Sequence, residues 1–228
     1  GTGVAASGAL ATRMGLAGVR VLAETLELMT IAALMEATGA KVHVCRLSSA
    51  AGVELVRQAK ERGLPMTCDV SVNSLHLCET DIGYFDSRAR LTPPLRSASD
   101  RTALRAALRD GVIDALVSDH TPVEADEKIQ PFSDAAPGAT ALELLLPLTL
   151  QWARSENIAP PQALAAVTSR PAQILGSCLC TDCSIGQLTP GGVADICIVN
   201  PAAGGTVGAD TLRSQSKFTT FEGQTLQG

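Results

Sequence analysis

The spacing of apolar and polar residues divides the chain into alternating helical and extended segments. From Ala23 to Thr38, "AETLELMTIAALMEAT" carries apolar residues at helical spacing, and Gly39 follows as a C-terminal cap. "KVHVCRLSS" is a short run rich in β-branched residues, the pattern of a buried strand. The unit repeats. "AAGVELVRQAKERGL" predicts a helix closed by Gly63, "PMTCDVSV" a strand, "SDRTALRAALRDG" a capped helix closed by Gly111, and "VIDALVSD" another strand. "ATALELLLPLTLQWARSEN" predicts a long helix, with Thr140 and Glu143 spaced as a capping box and Pro147 placed to bend it.

About three such units imply right-handed β-α connections on a parallel sheet, in a barrel or an open form. The opening "GTGVAASGALATRMG" has no coherent period and predicts a loop, so the chain is expected to begin mid-fold. After Gly176 the texture changes. "IGQLTPGGVADICIVNP" predicts two short strands flanking a Pro-Gly-Gly turn, followed by a Gly/Thr-rich tail. The expected division is an α/β part over residues 1–175 and a small β part over 176–228.

Composition narrows the function classes. With 228 residues and 46% hydrophobic content, the chain can bury a substantial core. A formal net charge of −5 gives no broad basic field, which argues against a nucleic-acid partner. No apolar run reaches a membrane span and no signal peptide opens the sequence, so the expected compartment is the cytoplasm. The seven cysteines are an odd, scattered set that suits free thiols. Cys178, Cys180 and Cys183 crowd together in "SCLCTDCS"; three thiols within six residues do not readily close a zinc tetrahedron, and a cysteine-rich surface loop is the preferred reading.

Parallel α/β folds gather ligands at the carboxyl ends of their strands. Those ends carry Arg46, the stretch Asp69 to Ser74, and Asp119 with His120. Asp119 follows an apolar run and suits either a catalytic position or a cap for the next turn. His120, beside a turn, suits a hydrogen-bonded structural role or a ligand. Strand parity turns His43 away from Arg46 and toward the helix layer. His76 falls in a loop-like segment without a visible partner.

The stretch from "GLPMTCDVSVNS" through "DHTPVEADEK" to "PGATALELLLPL", with "GQLTPGGVADICIVNP" and "LRSQSKFTTFEGQTLQG", resembles the second half of a dihydroorotase of the amidohydrolase superfamily. The resemblance implies about strands 6 to 8 of a TIM-like (β/α)8 metallo-hydrolase barrel, followed by strands of a small β domain. It implies zinc held by histidines and acids, with Asp119 at the metal-ligand and catalytic position. Thr92, His120, Val123, Pro137 and Gly138 fall at substrate-facing positions.

Several of these positions depart from the family pattern. A histidine ligand on the sixth strand is replaced by Arg46 in "HVCRLSS". A guanidinium stays protonated and has no lone pair to donate to a metal. The family's "TPHH" reads "SVNS" here, its substrate-contacting Asn before "PPLR" is Thr92, and the last histidine of its "DHAPH" is Val123. Arg46 and Asp119 are expected to pair where the metal would sit, leaving no zinc bound.

The resemblance then implies a non-catalytic partner of the aspartate carbamoyltransferase catalytic subunit in pyrimidine biosynthesis, with homo-oligomerisation also open. The competing readings are an active zinc-dependent cyclic-amide hydrolase, and a sensor that uses Arg46 to receive a carboxylate.

Overall fold

The computed structural model describes residues 3–176 and 185–228. Its first segment is more ordered than the opening sequence predicts. Strands β1 (Ala5–Ala6) and β2 (Gly18–Val19) pair in parallel, joined by helix α1 (Ala9–Met14). Two-residue strands are too short to show a period. Their contact depends on a glycine, because a Cβ on Gly18 would lie 2.7 Å from the Ser7 Cα.

Helix α2 (Val21–Thr38) ends as expected at Gly39, whose positive φ of 69° lets its N–H reach the Met35 carbonyl. Strand β3 (Val42–Val44) leads to α3 (Ala50–Glu61), where the Ser49 hydroxyl accepts the Gly52 N–H as N-cap. Strand β4 (Met66–Ser71) runs directly into the short helix α4 (Val72–His76). Helix α5 (Ala98–Arg109) opens on a reciprocal capping box between Ser97 and Asp100 and returns the chain to β5 (Ala115–Val117).

The sheet order is β3-β4-β5, all parallel. Alternation along β4 sorts its two faces. Met66, Cys68 and Val70 join the core with Val56 and Ala59 of α3 and Leu104 and Leu108 of α5, while Thr67, Asp69 and Ser71 occupy the opposite face. Val56, Leu108 and Ile113 are completely buried, and each such side chain contributes about 1.5–3 kcal/mol.

Beyond α6 (Ala125–Lys128) the structure departs from the expected capping box. Residues Leu142–Leu144 form a single 3-10 turn, and α7 spans Leu145–Ser155. The Thr140 hydroxyl donates to the Ser216 carbonyl, and the Glu143 carboxylate accepts the N–H groups of Arg213 and Ser214. Both side chains are therefore taken by the C-terminal segment and not by the helix start. Pro147 lies in the first turn of α7, where its missing N–H is one that the helix start leaves unpaired.

Helices α8 (Pro160–Ala165) and α9 (Ser169–Leu175) follow. The strands expected within 185–201 are not formed. The antiparallel pair is instead β6 (Gly204–Thr206) with β7 (Thr225–Gln227). Burial explains the difference: Leu188, Ile196 and Ile198 are exposed, whereas Val207, Leu212, Phe221 and Leu226 are buried in the core. The Cys178, Cys180 and Cys183 cluster lies outside the described residues. Among those described, Cys45, Cys68, Cys78 and Cys197 are free thiols, and no helix is long and apolar enough to cross a membrane.

Candidate functional site

The carboxyl ends of β3, β4 and β5 converge on a polar mouth. Arg46 follows β3 with a φ of 60°, and Asp119 follows β5 with a φ of 50°. Both are non-glycine residues in the left-handed region, which costs about 1–2 kcal/mol each and turns the side chains off their strands. The Arg46 Nη1 donates to the Thr92 carbonyl at 2.9 Å and to Asp119 Oδ1 at 3.3 Å. The Asp119 carboxylate also takes a hydrogen bond from Ser71 of β4. This is the pairing that the sequence predicts.

The pair is lopsided. Arg46 keeps 42% of its side chain exposed and Asp119 only 12%. Burial pushes the Asp119 carboxyl above its ordinary value, and the opposing pull of Arg46 and Ser71 does not cancel it, with Asp69 nearby adding to the rise. One long contact to an exposed guanidinium is too little to compensate the desolvation of the acid.

His43 does not face the helix layer as parity suggests. The β3–β4 register sets it beside Thr67, and its ring bonds Thr67 Oγ1 through Nδ1 at 2.8 Å and Asp69 Oδ2 through Nε2 at 3.0 Å. Side-chain alternation would carry through to Arg46 only in a strand extended that far. The strand stops at Val44, and the left-handed turn at Arg46 breaks the alternation. Asp69 is 7% exposed, and its second oxygen accepts the Arg46 N–H at 2.6 Å.

His120 is a structural hub. Its Nδ1 accepts the N–H groups of Ala141 and Leu142, both at 3.2 Å, so this nitrogen carries no proton. His120 also forms a parallel bridge with Ala139. Gly138 sits in the same loop with a φ of 141°, and a Cβ there would lie 2.6 Å from the Thr121 carbonyl oxygen. Pro137 is exposed beside it, and Thr92 is exposed across the mouth. Val123 is buried, and its carbonyl accepts the Ser216 hydroxyl.

Two supports escaped sequence reading. Lys128, fully buried, donates to the carbonyls of Arg90, Ala136 and Gly138, tying the loop before Thr92 to the loop of Gly138. Burial pushes its ammonium down to about 8. Glu24 of α2 accepts the N–H and hydroxyl groups of both Ser48 and Ser49, and Arg96 also bonds the Ser48 hydroxyl. His76 has neighbours too: it closes α4 and stands edge-on to Phe221, a contact across a sequence gap that no local pattern reveals.

Residues 12–227 match the family described as Amidohydrolase family. The chain belongs to it. It is 38% identical over 226 residues to a dihydroorotase-like protein of Pseudomonas aeruginosa, a match covering 99% of this chain and 52% of that protein. It is 36% identical over 228 residues to a dihydroorotase of Geobacter metallireducens, covering 100% of this chain and 52% of the relative. The chain thus spans about half the length of these curated relatives.

Among solved structures, L-hydantoinase from Arthrobacter aurescens superposes with a TM-score of 0.80 at 26% identity, covering 88% of this chain and 44% of that one. Dihydropyrimidinase from Brevibacillus agri gives a TM-score of 0.79 at 21% identity over 88% and 44% of the two chains. The sheet and its helices are accordingly part of an amidohydrolase TIM barrel.

Members of the amidohydrolase family generally use zinc. The Arg46–Asp119 pair does not fit it: Arg46 has no lone pair, and it holds a positive charge against the Asp119 carboxylate.

Proposed function

We propose that this chain is part of a dihydroorotase-like protein of pyrimidine biosynthesis that does not hydrolyse its ring substrate and serves as a structural partner of the aspartate carbamoyltransferase catalytic subunit. The observation that carries this reading is the Arg46–Asp119 contact at 3.3 Å. A guanidinium stands where the family resemblance calls for a histidine donor, and the acid that would assist a metal-bound hydroxide is committed to it. The Pseudomonas aeruginosa relative, itself named dihydroorotase-like, supports the dihydroorotase-like part of this reading. Such a protein would work in the cytoplasm and could contact further copies of itself.

A second reading is favoured by relatives named dihydroorotase at 36% identity: an active zinc-dependent hydrolase of a ring C–N amide bond. The two readings separate in one assay. The whole protein, supplied with zinc and dihydroorotate in both reaction directions, is expected to show negligible turnover. Arg46→His alone is expected not to restore it, because Thr92 and Val123 also depart from the substrate-facing pattern and groups acting as a unit are non-additive. Metal-dependent turnover lost on chelation and in Asp119→Ala would overturn the non-catalytic reading. Failure to co-elute with the aspartate carbamoyltransferase catalytic subunit of the same organism would sink the partnership.

A further inference from the structure

We infer that His43, Cys45 and Asp69 form a binding site for a zinc-class divalent cation, separate from the position occupied by Arg46 and Asp119. One donor atom from each of the three residues lies within 4.8 Å of the other two. They offer an imidazole nitrogen, a thiol sulfur and a carboxylate oxygen, a mixed set suited to a borderline cation that takes tetrahedral N, S and O ligands. Zinc bonds of roughly 2.0–2.3 Å place tetrahedral donors about 3.3–3.6 Å apart. His43 Nε2 and Asp69 Oδ2 stand at 3.0 Å, so the ion needs only a small separation of these two and a rotation of Cys45.

The surroundings hold two of the three ligands, His43 and Asp69, as metal sites do. Thr67 Oγ1 engages His43 Nδ1 at 2.8 Å, fixing the ring while Nε2 points at the carboxylate. The Arg46 N–H holds Asp69 Oδ1, leaving Oδ2 for the ion. Outer contacts of this kind orient ligands and settle the imidazole tautomer. When the ion enters, the His43 proton moves from Nε2 to Nδ1, where Thr67 accepts it, and the Cys45 thiol releases its proton to solvent. Thiolate and carboxylate then balance the two charges of the cation. Cys45 is exposed, which leaves an entry path and a fourth position for water. The Arg46 guanidinium is directed to Thr92 and Asp119, so its positive end is held by other acceptors.

Cobalt(II) is the probe, because a cobalt–thiolate bond absorbs in the near ultraviolet. The protein is stripped with chelator in a background carrying Cys178→Ser, Cys180→Ser and Cys183→Ser, which removes the other thiol cluster. One equivalent of cobalt with a thiolate band is expected, displaced by zinc. Cys45→Ser should abolish the band and weaken binding at least tenfold, His43→Gln should weaken it comparably, and Asp119→Asn should change neither. Cys45 is exposed, so its variant reports binding without a loss of folding. The assignment is overturned if the background protein binds no cobalt, if the band survives Cys45→Ser, or if binding is lost in Asp119→Asn but kept in Cys45→Ser. The last outcome would place the ion at the family position and count against the non-catalytic reading as well; the other two leave that reading untouched.

Discussion

Two ion pairs at opposite ends of the same three strands are built to different standards. At the amino end of β5, Asp114 accepts two contacts from Lys60 at 2.7 and 2.8 Å and the Cys68 N–H at 2.8 Å, while Lys60 also donates to the Val112 carbonyl. Both partners are mostly covered, at 25% and 22% exposure. At the carboxyl end, Arg46 and Asp119 share one 3.3 Å contact, and each residue is held in a left-handed backbone conformation. The lower pair closes its hydrogen bonds and locks α3 to the sheet. The upper pair leaves a buried acid poorly satisfied beside an exposed base. In barrels of this kind the amino end serves stability and the carboxyl end serves chemistry. The mouth thus holds backbone strain and a loosely made ion pair where the opposite end holds a closed one.

The contrast is broken most directly at the lower pair. Asp114→Ala strands the Lys60 ammonium and the Cys68 N–H together, and the expected cost is about 3 kcal/mol. The midpoint of denaturant unfolding measures it, and a loss below about 1 kcal/mol would remove the distinction between the two ends.

A buried group without any charge partner sharpens the comparison. Burial lowers the His76 imidazole to about 4, and its Nε2 has no hydrogen-bond partner among the described residues. An unfolded histidine titrates near 6.5, so between these values the unfolded chain holds a proton that the folded chain refuses. Stability from this group is complete above about pH 6.5 and falls as the pH drops toward 4. From pH 7 to 5 the loss is about 2 kcal/mol. His76→Gln should remove that part of the acid dependence, seen as unfolding midpoints that differ less between the two pH values than those of the unmodified protein.

The strands and helices were legible wherever one period ran long enough to repeat. The strand over Met66–Ser71 and the helix over Ala98–Arg109 follow local signals, and local signals survive folding, although the helix is capped at Ser97, ahead of the "SDRT" start that the sequence marks. The readings that failed depended on distant residues. Thr140 and Glu143 have capping spacing but bond the 213–216 segment. Glu24 reads as a polar position on a helix, yet it clamps Ser48 and Ser49 some 24 and 25 residues away. At the mouth, Arg46 and Asp119 were visible as strand-end residues, whereas His43 was misassigned because one positive φ at Arg46 ended the alternation. Lys128 sits in a charged "ADEK" run whose chemistry gives no hint of three carbonyl acceptors.

The smallest effect is expected at the upper pair itself. An ion pair with one partner 42% exposed contributes about 0–1 kcal/mol, since solvent screens the charge and the arginine loses side-chain freedom in making the contact. Asp119→Asn keeps an acceptor for Ser71 and Arg46 while removing a carboxylate whose burial is already unfavourable. The two changes oppose each other, and the unfolding midpoint should move by less than about 1 kcal/mol in either direction. Salt gives an independent reading: raising ionic strength screens an exposed pair, so the difference between the protein and its Asp119→Asn variant should shrink further. A loss of about 3 kcal/mol or more in Asp119→Asn, insensitive to salt, would mean that the upper pair is as firmly built as Lys60–Asp114, and the two ends would no longer differ in kind.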